Sequence, residues 1–176
     1  MTRERTNIIL IGMPGAGKST VGVVLAKRLG LGFVDTDLLL QQRAGKKLQQ
    51  IIDQDGTAAF RRLEERTLCE FDGCNTVVAT GGSAIYSEAA MRHLAAIGTI
   101  VFLDVPLGEL AQRLHDMQSR GLVIGPGAGL ADLYTERLPL YRRWAEITID
   151  GQGKNLEEVV DEVVRAIKRH EKTAGA

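Results

Sequence analysis

Between an apolar segment, Asn7–Ile11, and a helical pattern beginning at Lys18, the chain reads Gly12-Met13-Pro14-Gly15-Ala16-Gly17-Lys18-Ser19. This is G-x-x-x-x-G-K-[ST], and it restricts the fold more than any other feature, because its chemistry needs a buried strand before it and a helix after it. The glycines let backbone N–H groups turn inward around phosphate oxygens, and the helix N-terminus adds positive potential. Gly12, Gly15, Ala16, Gly17 and Thr20 thus form a candidate cradle for nucleotide phosphates. Lys18 is placed to reach the β- and γ-phosphates, and the Ser19 hydroxyl to ligate Mg²⁺.

The rest of the chain alternates short apolar runs with helical patterns, which implies β-α-β units and a parallel sheet. Strands are predicted at Asn7–Ile11, Phe33–Asp35, Thr76–Thr80, Thr99–Leu103 and Glu146–Ile149. Helices are predicted at Lys18–Leu29, Thr36–Ala44, Leu48–Gln54, Thr57–Asp72, Ser87–Ile97, Leu107–Gln118, Leu130–Arg143 and Leu156–Lys172. In the first helix Val21, Val24, Leu25 and Leu29 repeat at helical spacing. Gly121–Gly129 reads GLVIGPGAG, a composition suited to a mobile loop. With 176 residues and neither repeat nor linker, residues 1–176 read as a single domain, with a lid at about 119–130.

Charge then excludes some partners. The 22 basic and 22 acidic residues cancel, so no global field recruits nucleic acid or an anionic membrane. No apolar run is long enough to span a bilayer, and Met1–Thr6 lacks the apolar stretch of a signal peptide. Cys69 and Cys74 fit neither a redox pair nor a zinc knuckle, which points to a reducing, cytoplasmic setting. His93, His115 and His170 are scattered and read as surface residues; Tyr141 and Trp144 read as packing.

Ligands of such sheets bind beyond the carboxyl ends of the strands, so the residues there carry the functional reading. Asp35-Thr36-Asp37 supports two readings: a division of labour between a metal-holding and a hydroxyl-orienting carboxylate, or a helix N-cap with an acidic first turn. Arg61, in Phe60-Arg61-Arg62, reads from spacing alone as part of a solvated helix face. Gly81-Gly82-Ser83 after the third strand implies either close backbone approach to a ligand or a turn. Arg137, in Arg137-Leu138-Pro139-Leu140-Tyr141, is suited to clamping a carboxylate.

In this order, GMPGAGKST, DTD, AAFRRLE, GGS, a loop arginine and R-x-P-L-Y, the chain resembles the shikimate kinase family from about Asn7 to Ile167. The resemblance implies an α/β fold of the P-loop NTPase type: a three-layer sandwich with a five-stranded parallel sheet, order 2-3-1-4-5, flanked by helices and carrying a mobile lid. It implies a cytoplasmic transferase of aromatic amino-acid biosynthesis, a monomer that moves the γ-phosphoryl of ATP to the 3-hydroxyl of shikimate. It further implies that Asp35 organises Mg²⁺ through water and that Asp37 holds ring hydroxyls and serves as base. Arg61 and Arg137 would hold the carboxylate, Phe60 would line the ring pocket, and the Gly81 and Gly82 backbone would face the acceptor. Arg113 would stack on adenine, and Arg120 would reach phosphate oxygens on closure, completing a catalytic set with Lys18 and Asp37.

Three places depart from the family pattern. Ser83 stands where the family has a third glycine, so its side chain is expected to touch the acceptor. The lid begins Arg120-Gly121-Leu122-Val123 in place of R-P-L-L, and Asp150-Gly-Gln-Gly-Lys-Asn lacks the usual proline. These departures keep two alternatives open: a kinase of the same type acting on another small hydroxylated anion, and a silent nucleotide-binding regulator.

Overall fold

The computed structural model describes residues 5–115 and 129–174. The sheet has five strands, β1 (Asn7–Ile11), β2 (Gly32–Asp35), β3 (Thr76–Ala79), β4 (Gly98–Asp104) and β5 (Ile147–Asp150), in the order β2-β3-β1-β4-β5. Every adjacent pair is parallel, as the alternation of apolar runs and helices requires. β1 lies at the centre, and Ile9, Leu10 and Ile11 are completely buried there beside Val77, Val78, Ile100 and Val101. A strand apolar at every position suits such burial on both faces.

The helices are α1 (Lys18–Leu29), α2 (Thr36–Ala44), α3 (Leu48–Cys69), α4 (Glu88–Ile97), α5 (Leu107–His115), α6 (Leu130–Trp144) and α7 (Leu156–Ala174), with a 3₁₀ turn at Ala84–Tyr86. α1 packs against α7, α3 against α2 and α4, and α6 against α5. The two helices expected at 48–54 and 57–72 are both present within α3, which breaks between them where Gly56 adopts φ +83° and ψ 161°. That conformation is open to glycine at little cost and breaks helical geometry locally. The 3₁₀ turn after β3 has no period to announce it in the sequence.

Among the described residues no helix is long and apolar enough to cross a membrane. Arg120, Gly121 and nearly all of the expected lid lie outside the described residues.

Candidate active site

The loop from Gly12 to Gly17 delivers the chain from central β1 into α1, so its amides gather at the carboxyl end of the sheet. Lys18 is only 8 % exposed and donates from Nζ to the carbonyls of Gly12 (2.7 Å) and Met13 (2.9 Å). Burial lowers its pKa to about 8, against the opposing pull of Asp37 and Asp35 and with a further push from Arg137.

Asp35 is the helix cap of the second reading, and its other oxygen is engaged by Ser19. Its Oδ1 caps α2, accepting from the amides of Asp37 (2.9 Å) and Leu38 (3.4 Å), while Oδ2 accepts the Ser19 hydroxyl at 2.5 Å. The pair presents hard oxygens from two segments beside the phosphate loop. That donor set fits a cation completed by phosphate and water, as Mg²⁺ prefers, rather than an all-protein cage; among the described residues no three acidic, His or Cys groups form such a cage.

Asp37 follows in the first turn of α2, and burial, reinforced by Asp35, raises its pKa while Lys18 opposes the rise. Across from it runs the strip Gly81-Gly82. A Cβ on Gly81 would stand 2.8 Å from both Asp37 Oδ1 and Glu64 Oε1; one on Gly82 would stand 2.9 Å from Pro14 and 3.0 Å from Arg137 Nη1. Close approach is therefore the reason for glycine here, and this strip lets α2, α3, α6 and the phosphate loop converge. The Gly81 amide is held by Thr36 Oγ1 (3.1 Å), and the Gly82 carbonyl accepts the hydroxyl of Tyr141 (2.7 Å). Tyr141 is wholly buried and stacks on Phe102, so its packing reading holds, with a hydrogen bond added.

Arg137 is 8 % exposed, donates from Nε to the hydroxyl of Tyr86 (3.2 Å) and lies 5.3 Å from that ring's centre. Arg61 is exposed, yet its guanidinium sits 4.6 Å above the same ring. Tyr86 thus brings together two arginines 76 residues apart in sequence, in the range of cation–π contact. Phe60 is buried with Leu40 and Ile51 in a small core between α2 and α3.

Ser83 makes a contact that the sequence does not suggest: its hydroxyl donates to Glu64 Oε2 at 2.6 Å. Glu64 is 3 % exposed, and its Oε1 is buried with no partner among the described residues. Burial raises its pKa to about 7; Asp37 adds to the rise, whereas the Ser83 hydrogen bond, Arg137 and Arg61 oppose it. Glu64 and Tyr86 are the groups the sequence reading missed. A glutamate three residues after Arg61 on one helix face was the available signal for the first. The histidine reading needs two corrections: His93 is half-buried, with a ring nitrogen 2.7 Å from the Phe71 carbonyl, because α4 packs that face toward α3, and His170 is half-buried with Nε2 3.4 Å from Glu146 Oε2.

On the other side of the phosphate loop a cavity of about 390 Å³ opens. Gly15, Gly17 and Thr20 form one wall, Arg113 another, and Gly151, Lys154 and Asn155 a third. Of the expected nucleotide residues, Gly15, Ala16, Gly17, Thr20 and Arg113 line this cavity; of the expected acceptor residues, Asp37 and Arg137 flank the Gly81-Gly82 strip, while Phe60 packs in the small core and Arg61 meets Tyr86. Lys18 lies between the two, sensing both Asp37 and Arg137.

Comparison with known proteins agrees with this fold. The family model for shikimate kinase matches residues 14–168. A shikimate kinase of Aromatoleum aromaticum is 41 % identical over 170 residues, covering 94 % of this chain and 97 % of that one. One from Paracidovorax citrulli is 38 % identical over 174 residues, covering 96 % and 95 %. Among solved structures, a shikimate kinase from Acinetobacter baumannii in complex with shikimate superposes with a TM-score of 0.86 at 32 % identity, covering 94 % of each chain.

Proposed function

The chain belongs to the shikimate kinase family and is an ATP-dependent phosphotransferase, and from that footing we propose that its acceptor is shikimate, phosphorylated on the 3-hydroxyl. The observation that carries this reading is the Gly81-Gly82 strip, around which one carboxylate on α2, Asp37, and a buried arginine on α6, Arg137, approach within contact of the same backbone. With Arg61 sharing the Tyr86 ring, the inventory matches a ligand that bears one carboxylate and several hydroxyls.

In this reading the guanidiniums of Arg137 and Arg61 hold the acceptor carboxylate, in the fork geometry that favours such pairs. Asp37 then faces the ring hydroxyls and takes or orients the proton of the attacking one. The raised affinity of Asp37 for a proton suits that task. The amides of the phosphate loop and the Lys18 ammonium hold the β- and γ-phosphates in line, and catalysis is mostly positioning and charge neutralisation. Ser19 and Asp35 would hold Mg²⁺, which when bound supplies charge to the phosphate oxygens. Arg113 lines the cavity that receives the adenosine half; the role of Arg120 on the phosphates rests on sequence.

In this reading the chain acts as a monomer. Cys69 and Cys74 are free thiols, which supports a reducing, cytoplasmic location. A coupled assay of ADP release, run with Mg²⁺ and a panel of hydroxy acids, tests the acceptor. Turnover with shikimate well above that with sugar acids or hydroxy amino acids is expected. Release of ADP only with another acid on the panel would replace the acceptor, and none with any acid would favour a silent nucleotide-binding protein.

A further inference from the structure

The turn Gly151–Asn155, which walls the nucleotide cavity, is held by side-chain hydrogen bonds where a proline is missing. The Gln152 amide donates to Asp150 Oδ1 (2.9 Å), and Lys154 Nζ donates to the Asp150 carbonyl (2.7 Å) and to Glu162 Oε2 (2.6 Å). One tie leaves the turn for another helix: the Gly153 amide donates to Oε1 of Glu109, on α5, at 2.7 Å. The second oxygen of Glu109 accepts from Arg113 Nη2 at 3.3 Å, and Arg113 Nη1 in turn reaches the Gly15 carbonyl at 3.5 Å. A single carboxylate therefore connects two walls of the cavity, and through Arg113 it also reaches the phosphate loop.

We propose that Glu109 is a positioning residue for the nucleotide: its two oxygens set the spacing between the Arg113 side chain and the Gly151–Asn155 turn, and so the width of the slot that seats the base. The inference rests on reading this cavity as the seat of the adenosine half. Both oxygens are engaged, and the two partners lie 40 residues apart in sequence, so no local turn replaces the link. A planar base between two walls is discriminated by their separation and by the backbone groups they present. Glu109 is not among the residues that line the cavity and acts through Arg113 and Gly153. An acidic residue in the first turn of a helix also favours that helix by itself, so the test must separate the two effects.

Calorimetric ADP binding, KM for ATP, GTP and shikimate, and melting temperature should be measured for wild type, Glu109→Ala and Glu109→Gln. Glu109→Ala is expected to weaken ADP roughly fivefold, the scale of one hydrogen bond, to narrow the preference for ATP over GTP, and to leave the acceptor KM unmoved. Glu109→Gln keeps an oxygen for the Gly153 amide and should recover most of the ADP affinity. A lower melting temperature with unchanged ADP affinity in Glu109→Ala would reduce Glu109 to a helix-dipole residue and overturn the proposal. Glu109→Gln binding ADP as weakly as Glu109→Ala would overturn it too. ADP binding needs no acceptor, so absence of turnover with shikimate would sink the acceptor assignment and leave this measurement standing.

Discussion

The Ser83 hydroxyl donates to Glu64 Oε2 at 2.6 Å, across 19 residues of chain, and the other oxygen of Glu64 stays buried without a partner among the described residues. The bond gives the serine a specific task at a position where the family pattern has glycine. It favours the ionised form of a carboxyl that burial pushes the other way.

Glu64 should leave a signature in stability against pH. Its pKa is about 7 in the fold and near 4.5 when exposed, so between those values the folded chain binds more protons than the unfolded one. Stability then falls as pH rises through that window and levels off above about 7, a change of up to about 3 kcal/mol. Glu64→Gln should remove this slope, so melting temperature measured from pH 4.5 to 8 should be flatter in the variant. Parallel curves for the two proteins would mean that Glu64 titrates as an ordinary carboxyl.

Ser83→Ala should destabilise more at pH 8 than at pH 5, because its hydrogen bond is worth most against the charged form, about 1.5–3 kcal/mol for a bond to an ion. Denaturant midpoints at the two pH values give the comparison. An equal loss at both would assign the effect to packing.

Lys18 loses its proton at about 8, so in the free protein phosphate affinity should weaken as pH rises through that value. ADP titrations at pH 7 and 9 should show the decline in wild type and none in Lys18→Met. Lys18→Met and Asp37→Asn should each lower kcat by about 10²–10³, the usual effect of losing one preorganised transition-state contact. A folded variant with near-normal kcat would remove the residue from the mechanism.

Arg61→Ala and Arg137→Ala should both raise the shikimate KM far more than the ATP KM, with roughly 2–5 kcal/mol at stake for a truncated charge pair. They should differ in stability: Arg137 is buried against Tyr86 and Arg61 is exposed, so only Arg137→Ala should lower the melting temperature. Shikimate methyl ester should be a poor acceptor for wild type. Equal turnover of ester and acid would show that neither arginine reads the carboxylate.

Gly81→Ala places a methyl 2.8 Å from both Asp37 Oδ1 and Glu64 Oε1, a distance that forces one of them to move. Turnover should collapse while ADP still binds, since the nucleotide cavity does not include Gly81. Normal kcat in this variant would mean that the carboxylates yield freely and that their placement is loose.

The strands and nearly all helix positions were legible because each depends on a local period: apolar runs for strands, i, i+3, i+4 spacing for helices, and a glycine-rich loop that demands both neighbours; the strand order came only from the family resemblance. The partnerships were not. Ser83 with Glu64, Arg137 with Tyr86 and Gly153 with Glu109 span 19, 51 and 44 residues, and sheet topology rather than any local pattern brings them together. Arg61 shows the limit well. A helix period places it correctly on an exposed face, but only the 3₁₀ turn at Ala84–Tyr86 puts an aromatic ring beneath it. Asp35 shows a different limit: its cap was legible from residue type, but its bond to Ser19, across 16 residues, was not.

That double engagement bears on how freely position 35 can drift over evolutionary time. As a helix cap alone it would accept Ser, Thr or Asn with little loss, since all four are favoured there. As a partner of Ser19 alone it would accept any acid long enough to reach. Only a short side chain with two anionic oxygens meets both demands from one backbone site, so exchanges that are conservative for either role fail for the other. The substitution record of this position among working enzymes should therefore be narrower than that of Asp37's exposed neighbour Leu38, and any lineage that changes Asp35 should show a compensating cap elsewhere on α2.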